Sequence, residues 1–220
     1  MRVRFAPSPT GFLHIGNART AIINNLIAKK YNAELVLRIE DTDLERSTRE
    51  SEDSILFDLK WLGIGWTEGP DIGGKHIPYR QSERFDIYKK YTDQLLAEHK
   101  AYHCYCSQEE LDAQRAECEK KGTQFVYPGT CRNLTADQRA KKETEGRKPT
   151  VRLHVPDGIS IEVDDKIKGK VTFSSENIGG DFIIVRSDGV PIFNYIVVID
   201  DVLMEISHVI RGEDHLPNTP

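Results

Sequence analysis

No stretch of the 220 residues is apolar for the length a membrane span needs, so a spanning helix is not expected. The N-terminus starts directly on strand-like residues and shows no secretory signal pattern. Cysteine is scarce, with four residues at Cys104, Cys106, Cys118 and Cys131. So few thiols, without a signal, point to a reducing cytoplasm rather than to a disulfide framework. There are no internal repeats and no low-complexity tract. An excess of positive charge is missing too. The net charge is -5, from 30 basic and 35 acidic residues, which at first argues against a nucleic-acid partner.

What is present describes an ordinary globular chain. It has 38% hydrophobic and 30% charged residues, and its length suits one domain carrying an insertion. The total charge hides local basic clusters: Arg139, Lys141, Lys142, Arg147 and Lys148, then Lys166, Lys168 and Lys170. Phosphate contact needs local cations rather than a basic total, although each cluster also reads as a solvated face.

Through residue 81 the pattern alternates strand and helix. Strands are expected over 2–6 and 34–39, and a helix over 17–30. A second helix opens at Ser47-Thr48-Arg49-Glu50, spaced as a capping box, and runs to about residue 62 with Ile55, Leu56, Leu59 and Leu62 on one face. Such alternation implies an α/β fold with a parallel sheet and helical crossovers. From residue 82 the pattern changes. It predicts an amphipathic helix over 82–100, a strand over 101–106 and polar helices opening at Ser107 and Thr135. Strand-like runs follow over 150–155, 159–163, 171–173 and 182–186. Ser187-Asp188-Gly189 then reads as a turn into a further run over 192–199.

The first nineteen residues carry the most chemistry: Val3-Arg4-Phe5-Ala6-Pro7-Ser8-Pro9-Thr10-Gly11-Phe12-Leu13-His14-Ile15-Gly16-Asn17-Ala18-Arg19. A strand feeding a loop and then a helix start aims backbone N–H groups and a positive dipole end at one spot, which suits phosphate. Gly16 lets the backbone approach a ligand, and His14 can donate to a phosphoryl oxygen. The same residue types are also ordinary capping chemistry.

This string resembles the nucleotide-binding signature of class I aminoacyl-tRNA synthetases, in the glutamyl version. Leu37-Arg38-Ile39-Glu40-Asp41-Thr42-Asp43, Trp61-Leu62-Gly63-Ile64-Gly65-Trp66, Tyr79-Arg80-Gln81-Ser82-Glu83-Arg84 and His208-Val209-Ile210-Arg211-Gly212-Glu213-Asp214-His215 are similar to that family in the same order. The resemblance implies a Rossmann-like catalytic domain over 1–81 and 190–220, interrupted over 82–189 by an α+β insertion that binds the tRNA acceptor end. It implies a monomeric enzyme using ATP with Mg2+, L-glutamate and tRNA(Glu), and ligation through glutamyl-adenylate. No enzyme nucleophile is needed; positioning and charge stabilisation carry the chemistry.

The resemblance assigns His14, Gly16 and Asn17 to catalysis. It assigns Pro7, Thr10, His14, Gly16, Asn17, Glu213 and Asp214 to ATP. Arg4, Ala6, Ser8, Glu40, Phe193, Asn194 and Arg211 are its glutamate pocket, with Arg4 and Arg211 on carboxylates and Glu40 on the α-ammonium group. Read by themselves, Arg4, Glu40 and Arg211 favour a structural ion network. Asn17 stands where many relatives have a second histidine. Phe193 stands where many have a tyrosine, leaving Asn194 or Tyr195 to supply a polar contact. Asp41, Thr42 and Asp43 read as substrate contacts or as turn and cap residues, and Asp200 and Asp201 are equally open.

Cys104-x-Cys106 and then Cys131 are similar to the structural zinc frame of some bacterial relatives, with Asn133 at the partner position. Cys118 closes a four-thiolate site if its helix folds back; the alternative is a vestigial site with free thiols. Tyr102, Tyr105, Phe125 and Tyr127 read either as stacking surfaces or as core. Nothing in the 220 residues looks like the lysine-containing second signature loop of class I enzymes. The expectation is therefore the front portion of a synthetase, with little adenylate formation on its own. The alternatives are a glutamyl-queuosine tRNA synthetase-like paralogue and a non-catalytic fragment that binds ATP and an acceptor stem.

Overall fold

The computed structural model describes residues 1–220, and the side chains of all but residues 176 and 177. The chain forms two compact units. One comprises Met1–Tyr88 and Val197–Leu216, the other Lys89–Ile196 and Pro217–Pro220.

In the first unit, strand β1 (Arg2–Phe5) leads through the loop at 6–14 into helix α1 (Ile15–Tyr31) and strand β2 (Glu34–Leu37). β1 and β2 pair in parallel, with Val3 opposite Leu35 and Phe5 opposite Leu37, so the connection must cross over, as the helix does. Single parallel bridges at Val36–Glu68 and Ile39–Arg80 extend this side. On the other side the amides of Ser207 and His208 donate to the Arg2 carbonyl, at 3.0 and 3.2 Å. The core is the contact of Val3, Phe5, Leu35, Leu37 and Ile39 with Ala21 and Ala28 of α1 and with Ile55, Leu56 and Leu59 of helix α2 (Arg49–Trp61). Arg2 donates to Glu34 and, at 2.9 Å, to Glu68, while the Tyr79 hydroxyl donates to the other oxygen of Glu68. Gly74 lies against this group. A Cβ there would sit 2.5 Å from the Tyr79 oxygen, and its φ of +145° is one only glycine adopts readily.

Two starts differ from the sequence pattern. α1 begins at Ile15 because His14 is its N-cap, two residues before the expected start. In α2 the cap is Thr48, whose hydroxyl accepts from the Ser51 amide at 3.1 Å, so the box beginning at Ser47 does not form.

In the second unit, helix α3 (Phe85–Ala97) ends before strand β3 (Ala101–Cys104). Helices α4 (Gln108–Lys120) and α5 (Ala136–Thr144) open with complete capping boxes at Ser107/Glu110 and Thr135/Gln138. Strand β4 (Thr150–Leu153) is followed by the hairpin of β5 (Ser160–Asp165) and β6 (Gly169–Ser174), then by β7 (Ile183–Val185). β3, β4 and β7 form an antiparallel sheet around Ala101, Val151 and Ile184.

The turn at 187–189 forms, with the Gly189 amide donating to the Arg186 carbonyl at 3.0 Å. The run beyond it is no strand. After one bridge at Pro191 the chain becomes helix α6 (Phe193–Leu203). Ile196, Ile199, Asp200 and Met204 are buried at helical spacing, and that packing overrides the strand propensity of a Val- and Ile-rich segment. The fold class is mixed α/β.

Candidate active site and candidate metal centre

In the first unit two apolar runs each carry charges that folding buries. Arg38, just beyond β2, is 0% exposed, and Asp200 on α6 is 0% exposed. Arg38 donates to Asp201 at 2.7 Å and to Glu40 at 3.0 Å, and lies 3.8 Å from Asp200. Burial alone would lower the Arg38 pKa, but Glu40, Asp201 and Asp200 together hold it above its ordinary value. Asp200 accepts from Arg84 at 2.7 Å, from Gln81 at 2.9 Å and from the Tyr88 hydroxyl at 2.9 Å.

Arg4 joins this group from β1. Its Nε donates to both oxygens of Asp201, at 3.1 and 3.2 Å. Arg211 lies near enough to feel it. Burial and then the Arg4 guanidinium push the Arg211 pKa down, and Asp201 opposes them. Burial also raises the Glu40 pKa, against the lowering pull of Arg38 and Arg4. Arg4, Glu40 and Arg211 thus share one buried charged neighbourhood, as the sequence suggested. Arg4 and Glu40 are, in addition, members of a structural ion network. Four guanidinium groups (Arg4, Arg38, Arg84, Arg211) and three carboxylates (Glu40, Asp200, Asp201) share this neighbourhood.

The loop before α1 is tied to the same region. The Glu40 amide donates to the Pro7 carbonyl at 3.0 Å, and the Thr48 amide to the Pro9 carbonyl at 3.2 Å. Ala6 is half-buried, Pro7 buried, and Ser8 and Thr10 exposed. His14 Nδ1 accepts from the Gly16 amide at 3.2 Å. A neutral imidazole that accepts at Nδ1 carries its proton on Nε2, so the exposed ring keeps a donor for a ligand oxygen. Gly16 leaves room for this cap, since a Cβ there would crowd the His14 ring at 3.0 Å. Asn17 is half-buried in the first turn of α1, flanked by Phe12 and Ile15 at 88% and 90% exposure. Glu213 and Asp214 are exposed in a 3-10 turn, Glu213–Asn218. Phe193 and Asn194 belong to the second unit and are exposed, Phe193 by 43%.

Asp41 is a cap. Its carboxylate accepts from the Ser82 amide at 2.8 Å and from the Ser82 hydroxyl at 2.6 Å. Asp43 pairs with Arg46 on the surface.

In the second unit the sulfur atoms of Cys104, Cys106 and Cys131 all lie within 4.8 Å of one another. Tetrahedral zinc with bonds of about 2.3 Å places two thiolates about 3.8 Å apart, and Cys106 and Cys131 are 3.7 Å apart. The Tyr127 hydroxyl is 3.3 Å from the sulfurs of both Cys104 and Cys106. Hydrogen bonds within the cluster push the Cys104 pKa down and that of Cys106 up, so the thiols share their protons and one thiolate forms most readily, on Cys104. The donor set fits zinc. Cys118, on α4, is not part of this group, so the four-thiolate arrangement is corrected to three thiols with a phenol beside them.

The proposed stacking residues have internal roles. The Tyr102 hydroxyl donates to the buried Asp181 at 2.5 Å, and the Tyr105 hydroxyl donates to Glu143 at 2.6 Å. The Arg152 guanidinium covers the Tyr127 ring at 3.8 Å. Among the basic residues, Arg147 pairs with Glu110 and Lys170 with Glu162.

Sequence reasoning left Arg38 without a role and Asp200 and Asp201 open between substrate contact and turn. The signal was available: opposite charges inside two apolar runs, Leu35–Glu40 and Ile196–Asp201, must pair when both runs are buried. Tyr127 was read as a stacking surface or as core, and nothing local to it signals the thiols it meets.

Known proteins place the chain in a family. Residues 1–220 match the family model described as "tRNA synthetases class I (E and Q), catalytic domain". The chain is 60% identical over 220 residues to glutamate–tRNA ligase 1 of Caldicellulosiruptor saccharolyticus, covering all of this chain and 45% of that protein. It is 57% identical to the glutamate–tRNA ligase of Heliobacterium modesticaldum, covering all of this chain and 44% of that one. A crystal structure of a glutamate tRNA ligase from Elizabethkingia meningosepticum in complex with its amino acid superposes with a TM-score of 0.89 at 41% identity, over 99% of this chain and 44% of that one. The chain thus spans a little under half the length of the relatives it matches. With the sequence signatures, the paired runs and these likenesses in agreement, the chain belongs to the catalytic-domain family of class I tRNA synthetases for glutamate and glutamine.

Proposed function

We propose that this chain is the ATP- and glutamate-binding part of a glutamate–tRNA ligase. It comprises a Rossmann-like domain over 1–81 and 190–220 and an acceptor-binding insertion over 82–189. The observation that carries the reading is that Arg4, tied into a buried network that also holds Glu40, lies close enough to Arg211 to push its pKa down. Two guanidinium groups suit a substrate with two carboxylates, and a carboxylate held at the same place suits its ammonium group.

In this reading Arg4, Ala6, Ser8, Glu40 and Arg211 hold L-glutamate. Its α-carboxylate attacks the α-phosphorus of ATP and pyrophosphate leaves. Pro7, Thr10, His14, Gly16, Asn17, Glu213 and Asp214 hold the nucleotide, whose Mg2+ offsets phosphate charge. The Nε2–H of His14 and the first-turn amides of α1 stabilise charge on the phosphoryl oxygens. Transfer of the glutamyl group to tRNA(Glu) follows, with the insertion holding the acceptor end. Zinc on Cys104, Cys106 and Cys131 shapes the insertion and does no chemistry.

Calorimetric titration tests the pocket. The chain should bind L-glutamate, and Arg4→Ala should weaken that binding at least tenfold while leaving ATP binding unchanged. Equal affinity for L-glutamate in Arg4→Ala rejects the assignment.

A further inference from the structure

Asp201 is not one of the residues assigned above to glutamate, yet it is the group that Arg4 touches. Both of its oxygens accept from Arg4 Nε, and one also accepts from Arg38 at 2.7 Å. Arg38 is in turn fixed by Glu40 at 3.0 Å and is fully buried. Among the described residues, Nε is the only Arg4 nitrogen in a hydrogen bond, and neither terminal nitrogen is a buried atom lacking a partner. Those two nitrogens remain accessible. A free arginine side chain samples many rotamers, and holding it at Nε removes much of that freedom before a ligand arrives.

We propose that Asp201 is a positioning residue: clamped by Arg38, it holds the Arg4 guanidinium with both terminal nitrogens presented to a carboxylate, so the pocket selects an acidic side chain over its amide. The inference rests on the reading of Arg4 as a substrate contact. A second role for Asp201, simple neutralisation of Arg4 and Arg211, makes the opposite prediction. Removing a negative charge beside a pair of cations would then strengthen anion binding.

The test titrates the 220-residue chain with L-glutamate, L-glutamine and ATP. Asp201→Asn should weaken L-glutamate about tenfold while affinities for L-glutamine and ATP stay level. Asp201→Glu keeps the charge but displaces the carboxylate by one methylene, and should weaken L-glutamate severalfold; it also serves if the asparagine variant does not fold. Unchanged or tighter L-glutamate binding in either folded variant overturns the proposal. Arg4→Ala separates the two failures. If Arg4→Ala loses L-glutamate and the Asp201 variants do not, positioning is wrong and the pocket stands. If Arg4→Ala binds L-glutamate normally, or the unaltered chain does not bind it, the pocket reading falls and this inference with it.

Discussion

Two clusters, one in each unit, bury polar groups in opposite ways. In the first, Arg4, Arg38 and Arg84 interlock with Glu40, Asp200 and Asp201, and each buried charge meets an opposite one inside the protein. In the second, three thiols and a phenol crowd together with no carboxylate or ammonium group among them. The first cluster pairs its buried charges with its own side chains. The second has the composition of a site closed by a cation. A buried ion network and a thiol cluster can thus look alike in an exposure profile while differing in what completes them.

The largest expected effect strikes the first cluster. Arg38→Leu leaves Glu40, Asp200 and Asp201 without their common cation, and breaking a buried pair of this kind costs about 3–5 kcal/mol. Urea unfolding should show that loss or no cooperative transition at all. A loss below about 1 kcal/mol would mean that the network is wetter than its burial implies.

The second cluster should respond to metal instead. The chain should purify with one zinc, and at 100 times the dissociation constant free zinc should stabilise the second unit by about 2.7 kcal/mol. Cys131→Ser should abolish both the metal and the stabilisation, whereas Cys118→Ser should change neither. Metal analysis and thermal melts with and without chelator check this. Zinc lost in Cys118→Ser would restore the four-thiolate arrangement.

Asp41→Ala removes two hydrogen bonds from Ser82, in the 3-10 turn Gln81–Arg84, and should cost about 1–2 kcal/mol without altering ligand affinity. A specific loss of nucleotide or glutamate binding would instead make Asp41 a substrate contact.

The smallest effect is one of pH. The hydrogen bond from Arg2, with a lesser one from Tyr79, holds the Glu68 carboxyl below the usual carboxylate range. A depressed carboxyl stabilises the fold above its unfolded value, about 4.3, and that stability is lost as pH falls through the lower folded value. Glu68→Gln should flatten the acid limb of the stability profile in this window. Parallel limbs for both proteins would show that Glu68 does not contribute to it.

The sequence was most legible where the signal is local. Both polar helices opened at the predicted Ser107 and Thr135 because a capping box is complete within four residues. The apolar face of α2 was readable for the same reason: Ile55, Leu56 and Leu59 are buried together. Where the outcome depended on distant partners, the reading failed or stayed open. Phe193–Leu203 has the composition of a strand, and only the burial of Ile196, Ile199 and Asp200 on one side makes it a helix. The candidate substrate residues came from family spelling. Local pattern could not decide whether Arg4 and Glu40 form an ion network or a pocket, because the partners that define the network lie about 160 to 200 positions away.

Gly74 shows how far one hydrogen atom in place of a methyl group can reach. The Tyr79 oxygen occupies the space where a Cβ would project, and that oxygen bonds the carboxylate gripping Arg2. Arg2 stands two positions before Arg4 on the same short strand. An alanine at 74 would wedge the tyrosine away, slacken the grip on the strand's first residue and blur the aim of the third. The smallest side chain in this unit therefore acts as a tolerance on the alignment of a guanidinium it never touches.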